Sequence, residues 1–256
     1  MSAAADAFSF TGPRRFVGRY DDCKKAGNVI LNDTKCTLYF VEGNIGAGKT
    51  EALKLISSRN KEQVMYEPVA IWRQKFVDGE TNKNILQLYY DDMKRWGFNL
   101  QIIASITRLT QVLEFVEEHK RGGNIFVERS IWTDWEVFSQ LLIEDGVLDT
   151  IQIATLQALQ ANFRYALSQH NIMFVYVQTP PDVCYERIKK RASPEEKEIP
   201  LAYIERVHRA HEATFNGSNL PGKVVIVSGL GAVDDVASSI IEQSLGVKKY
   251  EDVPLN

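Results

Sequence analysis

The stretch Gly43-Asn44-Ile45-Gly46-Ala47-Gly48-Lys49-Thr50 limits what this chain can fold into more than any other. Gly43, Gly48, Lys49 and Thr50 occupy the fixed positions of a loop whose backbone N–H groups cradle phosphate oxygens. Glycines let those N–H groups turn toward an anion without Cβ clashes. A following helix adds unsatisfied donors and a favourable dipole. Lys49 is placed to reach β- and γ-phosphates, and Thr50 a Mg²⁺ ion. The flanks agree: Lys35–Glu42 reads as a short buried strand and Glu51–Ser58 as a helix. The motif implies a nucleoside triphosphate. It does not say where the phosphoryl group goes.

The same alternation continues down the chain. Gln63–Glu67, Asn124–Glu128, Met173–Val177 and Val224–Ser228 read as strands apolar on both faces. Helical spacing predicts Asn84–Trp96, Phe98–His119, Val137–Ile143, Leu148–Ser168, Pro181–Arg191, Pro200–Phe215 and Val233–Leu245. Strands of that kind belong in a parallel sheet covered by helices, so the expected fold is α/β with a five-stranded parallel sheet. A single domain over residues 35–256, after an irregular segment over 1–34, accounts for the 256 residues.

Charge excludes some roles. With 30 Lys+Arg against 33 Asp+Glu, the chain has no basic surplus for nucleic acid or an anionic membrane. No apolar run reaches membrane-spanning length. Cys23, Cys36 and Cys184 are isolated and odd in number, which fits reduced thiols in an intracellular setting. The cytoplasm is the expected compartment, with mitochondrion and nucleus open.

In open parallel sheets ligands bind beyond the C-terminal strand ends. There the second strand delivers Glu67, a carboxylate suited to taking a proton from a hydroxyl nucleophile. A surface or capping Glu is the plain alternative. The third delivers Glu128 and Arg129, suited to Mg²⁺ and to a transferring phosphoryl group, or to a structural ion pair. Arg187, Lys190 and Arg191 share a helix face that either covers the phosphates or faces solvent. Trp72, Tyr89, Tyr90, Trp96 and Phe98 offer walls for a flat ring, or scattered core packing. His208 and His211 show no metal spacing and are expected at the surface or beside Glu205 and Glu212.

These pieces, in this order, resemble the deoxynucleoside kinases. The likeness spans residues 36 to 216. It rests on the phosphate loop, Glu67-Pro68-Val69 with Trp72, and Asn84-Ile85-Leu86-Gln87 with Tyr90, Trp96, Phe98 and Gln101. Glu128-Arg129-Ser130 with Asp134, and Glu195-Glu196 before Ile199-Pro200-Leu201, complete it. The resemblance implies transfer from ATP, or another nucleoside triphosphate, to the 5′-hydroxyl of a deoxyribonucleoside. It implies Glu67 as general base, Arg129 and Lys49 as catalytic cations, and Thr50 with Glu128 as Mg²⁺ ligands. Tyr90 and Glu196 would hold the sugar 3′-hydroxyl. Gln101 would pair with the base edge, and Trp72, Phe98, Tyr89, Ala104 and Phe138 would shape the pocket. Arg187 and Arg191 would belong to an arginine-bearing lid. The family also implies a homodimer.

Thymidine-preferring relatives carry small or apolar residues where this chain has Arg108 and Asp134. Deoxycytidine and deoxyguanosine kinases resemble this chain there, with an alanine matching Ala104. An Arg–Asp pair offers hydrogen bonds to an exocyclic amine or ring nitrogen and crowds a thymine methyl. Deoxycytidine and purine deoxynucleosides are therefore expected over thymidine. The chain departs from the family at Ser193, where a second lid arginine is usual. It also departs at Tyr89, usually Met, and in the glycine-rich loop Gly229–Ala232. A nucleoside monophosphate kinase and a non-catalytic nucleotide-binding subunit are the competing readings.

Overall fold

The computed structural model describes residues 36–60, 62–119, 123–217 and 219–246. The segment expected to be irregular (1–34), with Cys23, lies outside them. Five strands form one all-parallel sheet in the order β2-β3-β1-β4-β5. They are β1 (Cys36–Glu42), β2 (Gln63–Met65), β3 (Gly123–Glu128), β4 (Asn171–Gln178) and β5 (Lys223–Ser228). The expected α/β class and strand count hold.

Alternation along the strands assigns the two core faces. Leu38, Phe40, Phe174 and Tyr176 point to one side, where Trp132, Leu167 and Phe215 cover them. Tyr39, Val41, Val175 and Val177 point to the other, against Leu53, Ile56, Val236 and Ile240. Helices α1 (Lys49–Asn60) and α10 (Val233–Leu245) supply the second cover. Buried on both faces, β1 and β4 have to be nearly continuous in apolar residues, whereas the edge strand β5 alternates and leaves Ile226 exposed.

Between β2 and β3 run α2 (Val69–Lys75), α3 (Ile85–Asp91) and α4 (Met93–Glu118). The reading above missed α2, which is too short to show a period. It also broke the long helical stretch at Gly97. The break falls at Asp92, whose N–H closes α3 on the Leu88 carbonyl while its carboxylate caps α4 by accepting from the Arg95 N–H. Gly97 sits inside α4 because a Cβ there would lie 3.2 Å from a Leu142 methyl.

After β3, Ser130 caps α5 (Ile131–Thr133), which continues through a π-helical turn (Asp134–Ser139) into α6 (Gln140–Glu144). Then come α7 (Thr150–Leu167), α8 (Pro181–Arg191) and α9 (Leu201–Phe215). His211 on α9 is fully buried, its ring stacked on Tyr176 and Phe215, which corrects the surface expectation. Burial pushes its pKa well below the ordinary histidine value. His208 keeps the expected neighbour, 3.8 Å from Glu212.

Candidate active site

The phosphate loop leaves β1 at the centre of the sheet. Gly46 adopts a left-handed φ of +79°, and a Cβ there would meet the Cys184 carbonyl at 2.4 Å, so only glycine fits. Lys49 curls over the loop, donating to the Gly43 carbonyl at 3.0 Å and the Asn44 carbonyl at 2.8 Å. Burial first, then the nearby Arg129 charge, pulls its pKa down to about 8. A polyanion entering the loop would oppose both effects.

Glu67 lies just past the end of β2, not within it as the sequence suggested. One carboxylate oxygen accepts from Arg108 Nη2 at 3.0 Å and the other faces Arg129 Nε at 3.4 Å. Burial favours its neutral form, but Arg129, Arg108 and Lys49 outweigh it and hold the pKa below the usual value. Glu67 is therefore ionised. Glu128, ending β3, accepts from the Thr50 hydroxyl at 2.6 Å. Arg129 follows with a left-handed φ of +63°, its N–H on the Val41 carbonyl at 3.0 Å and its guanidinium over the Phe138 ring. That strained backbone turns the side chain back toward Glu67.

Beyond these groups lies a cavity of about 350 Å³. Trp72, Tyr89, Tyr90, Gln101, Ala104 and Phe138 line it, as do Arg108, Asp134 and Glu196. Phe98 does not line it, and neither does Trp96. The α4 face turned inward carries Leu100, Gln101, Ala104 and Arg108, at helical spacing, and Phe98 falls off that stripe. Leu100, Val69, Leu86 and Tyr203 are wall residues the sequence reading missed. Stepping back four residues from Ala104 along the helix face finds Leu100.

Arg108 is 1% exposed and almost fully committed. It grips Asp134 through Nε and Nη2, both at 3.1 Å, reaches the Glu128 carbonyl at 3.2 Å, and bonds Glu67. Burial works against its charge, but Asp134 and Glu67 more than offset that. The pair therefore differs from the expectation in one respect. Arg108 is not a free donor but a strut that ties Asp134 to Glu67. Tyr89 also has a partner the sequence did not predict: its hydroxyl is 3.2 Å from that of Tyr203.

A second cavity of about 450 Å³ adjoins the outer side of the phosphate loop. Arg187 braces it, donating to the Ala47 carbonyl and the Gly229 carbonyl, each at 3.0 Å. Arg191 borders both cavities and pairs with Glu196. On the basic face of α8, Arg187 thus docks on the loop, while Lys190 and Arg191 border the second cavity and stay exposed to solvent.

Glu195 forms a node the sequence did not reveal. It accepts from Arg73 Nε at 2.8 Å, from Asn84 Nδ2 at 3.1 Å and from the Ser193 hydroxyl. Ser193, in the place of a lid arginine, also accepts from Arg73 at 3.2 Å. Burial would raise the Glu195 pKa, but the Ser193, Arg73 and Asn84 hydrogen bonds prevail and hold it at about 2. The folded value is below the unfolded one, so this stabilisation is complete above about pH 4.5 and fades as pH falls toward 2. Arg73 is 47% exposed, so the expected contribution is about 2 kcal/mol, below the full linkage value. Urea midpoints measured from pH 6 to pH 3 should converge for the wild type and Glu195→Gln. Parallel curves would refute the node.

Among the described residues no helix is long and apolar enough to cross a membrane. A family model described as deoxynucleoside kinase matches residues 39–244. The chain is 35% identical over 194 residues to mitochondrial thymidine kinase 2 of Homo sapiens, covering 73% of this chain and 68% of the relative. It is 30% identical over 190 residues to deoxycytidine kinase 2 of Gallus gallus, covering 67% and 71%. It is 31% identical over 188 residues to mitochondrial deoxyguanosine kinase of Xenopus laevis, covering 68% and 71%. The matched span takes in the phosphate loop, both strand-end carboxylates and the lid, and on that breadth the chain belongs to the deoxynucleoside kinase family: it is a phosphotransferase that phosphorylates nucleosides from a nucleoside triphosphate donor.

Proposed function

We propose that the enzyme transfers the γ-phosphoryl group of ATP to the 5′-hydroxyl of deoxycytidine or a purine deoxynucleoside in preference to thymidine, as a salvage reaction. The observation that carries the preference is the buried Arg108–Asp134 pair at the inner end of the cavity. With Arg108 spent on protein groups, Asp134 is a carboxylate with acceptor capacity left for an exocyclic amine. Thymine offers a carbonyl and a methyl where that amine would be, and leaves Asp134 unpaired. The 35% identity to a thymidine kinase is an average over 194 residues and does not by itself report on these two positions.

Glu67 takes the proton of the attacking 5′-hydroxyl. Its lowered pKa makes it a weak base. That suffices where the transition state is loose and positioning dominates. Arg129 faces Glu67 on one side and the loop on the other, where it and Lys49 offset charge on the transferring group. Tyr90 and Glu196 hold the sugar, and Gln101 reads the base edge. Trp72, Leu100 and Phe138 exclude water around the ring.

Thr50 and Glu128 fit a Mg²⁺ ion. Two hard oxygen donors stand 2.6 Å apart at the loop mouth, and Mg²⁺ takes one carboxylate plus waters and phosphate oxygens in such sites. The ion supplies charge neutralisation across the phosphates. Exposed Ile106 and Leu113 on α4, with Ile151 and Tyr165 on α7, offer an apolar face for a second copy. A phosphorylated acceptor is disfavoured because Arg108 and Arg73, which border the cavity, are already held by carboxylates.

The test is initial rates with Mg-ATP for deoxycytidine, deoxyadenosine, deoxyguanosine and thymidine, with dCMP as a control. Faster transfer to an amine-bearing nucleoside is expected. Thymidine leading the series would overturn the preference, and transfer to dCMP alone would overturn the acceptor class.

A further inference from the structure

The two lid carboxylates, Glu195 and Glu196, have opposite attachments. Glu195 is fixed to α2 and α3 through Arg73 and Asn84. Its neighbour Glu196 is thereby held at the cavity wall, with its N–H on the Ser193 carbonyl at 3.1 Å. There it lies close enough to Tyr90 for its charge to act on the phenol. What Glu196 grips is Arg191, the last residue of α8.

Arg191 differs from Lys49 and Arg187. Lys49 is bound to loop carbonyls, and Arg187 to the Ala47 and Gly229 carbonyls. Arg191 is held by the Glu196 carboxylate and, unlike buried Arg129, is 48% exposed. It precedes Ala192, whose left-handed φ of +50° closes the helix. A long side chain at a helix end can swing between its carboxylate and phosphate oxygens in the adjoining cavity, both of which it borders. With serine at 193, the second lid arginine is missing, so Arg191 carries more of the task.

We propose that the Arg191–Glu196 pair makes the acceptor's 3′-hydroxyl a determinant of donor binding: Glu196 retains Arg191 until a sugar hydroxyl occupies the carboxylate. This rests on the reading that Glu196 holds the sugar and Arg191 the phosphates. A carboxylate that accepts from a 3′-hydroxyl and from Tyr90 has less charge to offer a guanidinium. A triphosphate offers more, through short charge-assisted hydrogen bonds. The deoxynucleoside and the donor then bind synergistically. By linkage the donor tightens the nucleoside by the same factor.

The experiment is calorimetric binding of the Mg²⁺ complex of β,γ-imido-ATP to the full chain. It is run alone, with saturating deoxycytidine, and with saturating 2′,3′-dideoxycytidine. Thymidine and its 3′-deoxy counterpart form a second pair. The deoxynucleoside should tighten the analogue about three- to tenfold, the scale of one partly exposed charge-assisted contact. The dideoxynucleoside should bind, by its own heat, and tighten nothing. Glu196→Gln should bind the analogue more tightly than wild type with no nucleoside present, and lose the synergy. Equal tightening by both members of a pair, or wild-type affinity and synergy in Glu196→Gln, would overturn the inference. If no nucleoside binds, the kinase reading fails. The nucleoside-free Glu196→Gln comparison still reports on the ion pair.

Discussion

Glu67→Gln is expected to lower kcat by about a thousandfold and leave the fold intact. That factor is typical for loss of a positioned general base. The amide keeps the shape, but its single carbonyl oxygen can accept from only one of Arg108 and Arg129, and its NH2 faces the other. What it loses is the capacity to take a proton. Arg108 keeps both oxygens of Asp134 and the Glu128 carbonyl, whereas buried Arg129 loses the carboxylate it faces. Thermal unfolding should therefore shift downward without loss of the fold. Turnover is measured with Mg-ATP and the best deoxynucleoside. A variant within tenfold of wild type would remove Glu67 from the role of base.

The second large effect concerns Arg108 and Asp134. The double substitution Arg108→Met with Asp134→Ala should raise the kcat/KM of thymidine relative to deoxycytidine by about a hundredfold. Removing the acceptor for the exocyclic amine penalises cytosine, and removing bulk admits the thymine methyl. The two changes belong together. Arg108 and Asp134 are 1% and 2% exposed, and removing one partner strands a buried charge, at a cost of about 3–5 kcal/mol. Each single variant is therefore expected to be less stable than the double. Steady-state kinetics on both nucleosides and urea unfolding of all three variants check both statements. An unchanged nucleoside ranking would sink the specificity argument. A double variant less stable than either single would sink the pairing.

How much the sequence disclosed depended on the range of the interaction. The phosphate loop is local, and its flanking strand and helix are read from adjacent residues. β1 and β4 are legible because burial on both faces leaves nearly uninterrupted apolar runs. Short or coupled features were less visible. β2 is only three residues long, so the run Gln63–Glu67 overstates it and Glu67 falls past its end. The boundary between α3 and α4 is set by Asp92 acting at both ends, a signal weaker in one dimension than a glycine. Phe98 enters the expected pocket as an aromatic and through the resemblance, whereas Leu100 lines it by its position on the helix face.

Contacts between distant residues were not legible from spacing. Arg73 and Glu195 are 122 positions apart, and Arg108 and Glu67 are 41. Family resemblance named Arg108 and Asp134 as a specificity pair. Only the folded arrangement joins that pair to Glu67. His211 is a different case: it lies four residues from both Val207 and Phe215, so helical spacing does place it on the buried stripe of α9.

Arg187 clasps the phosphate loop and the turn after β5 with one guanidinium. A change in the glycine-rich turn is therefore transmitted through Arg187 to the phosphate loop. A library of substitutions at residues 229–232 selects at the same time for the seating of the Ala47 carbonyl. Variants recovered for a changed donor should be screened for turnover in the same round, and position 187 should be diversified along with them.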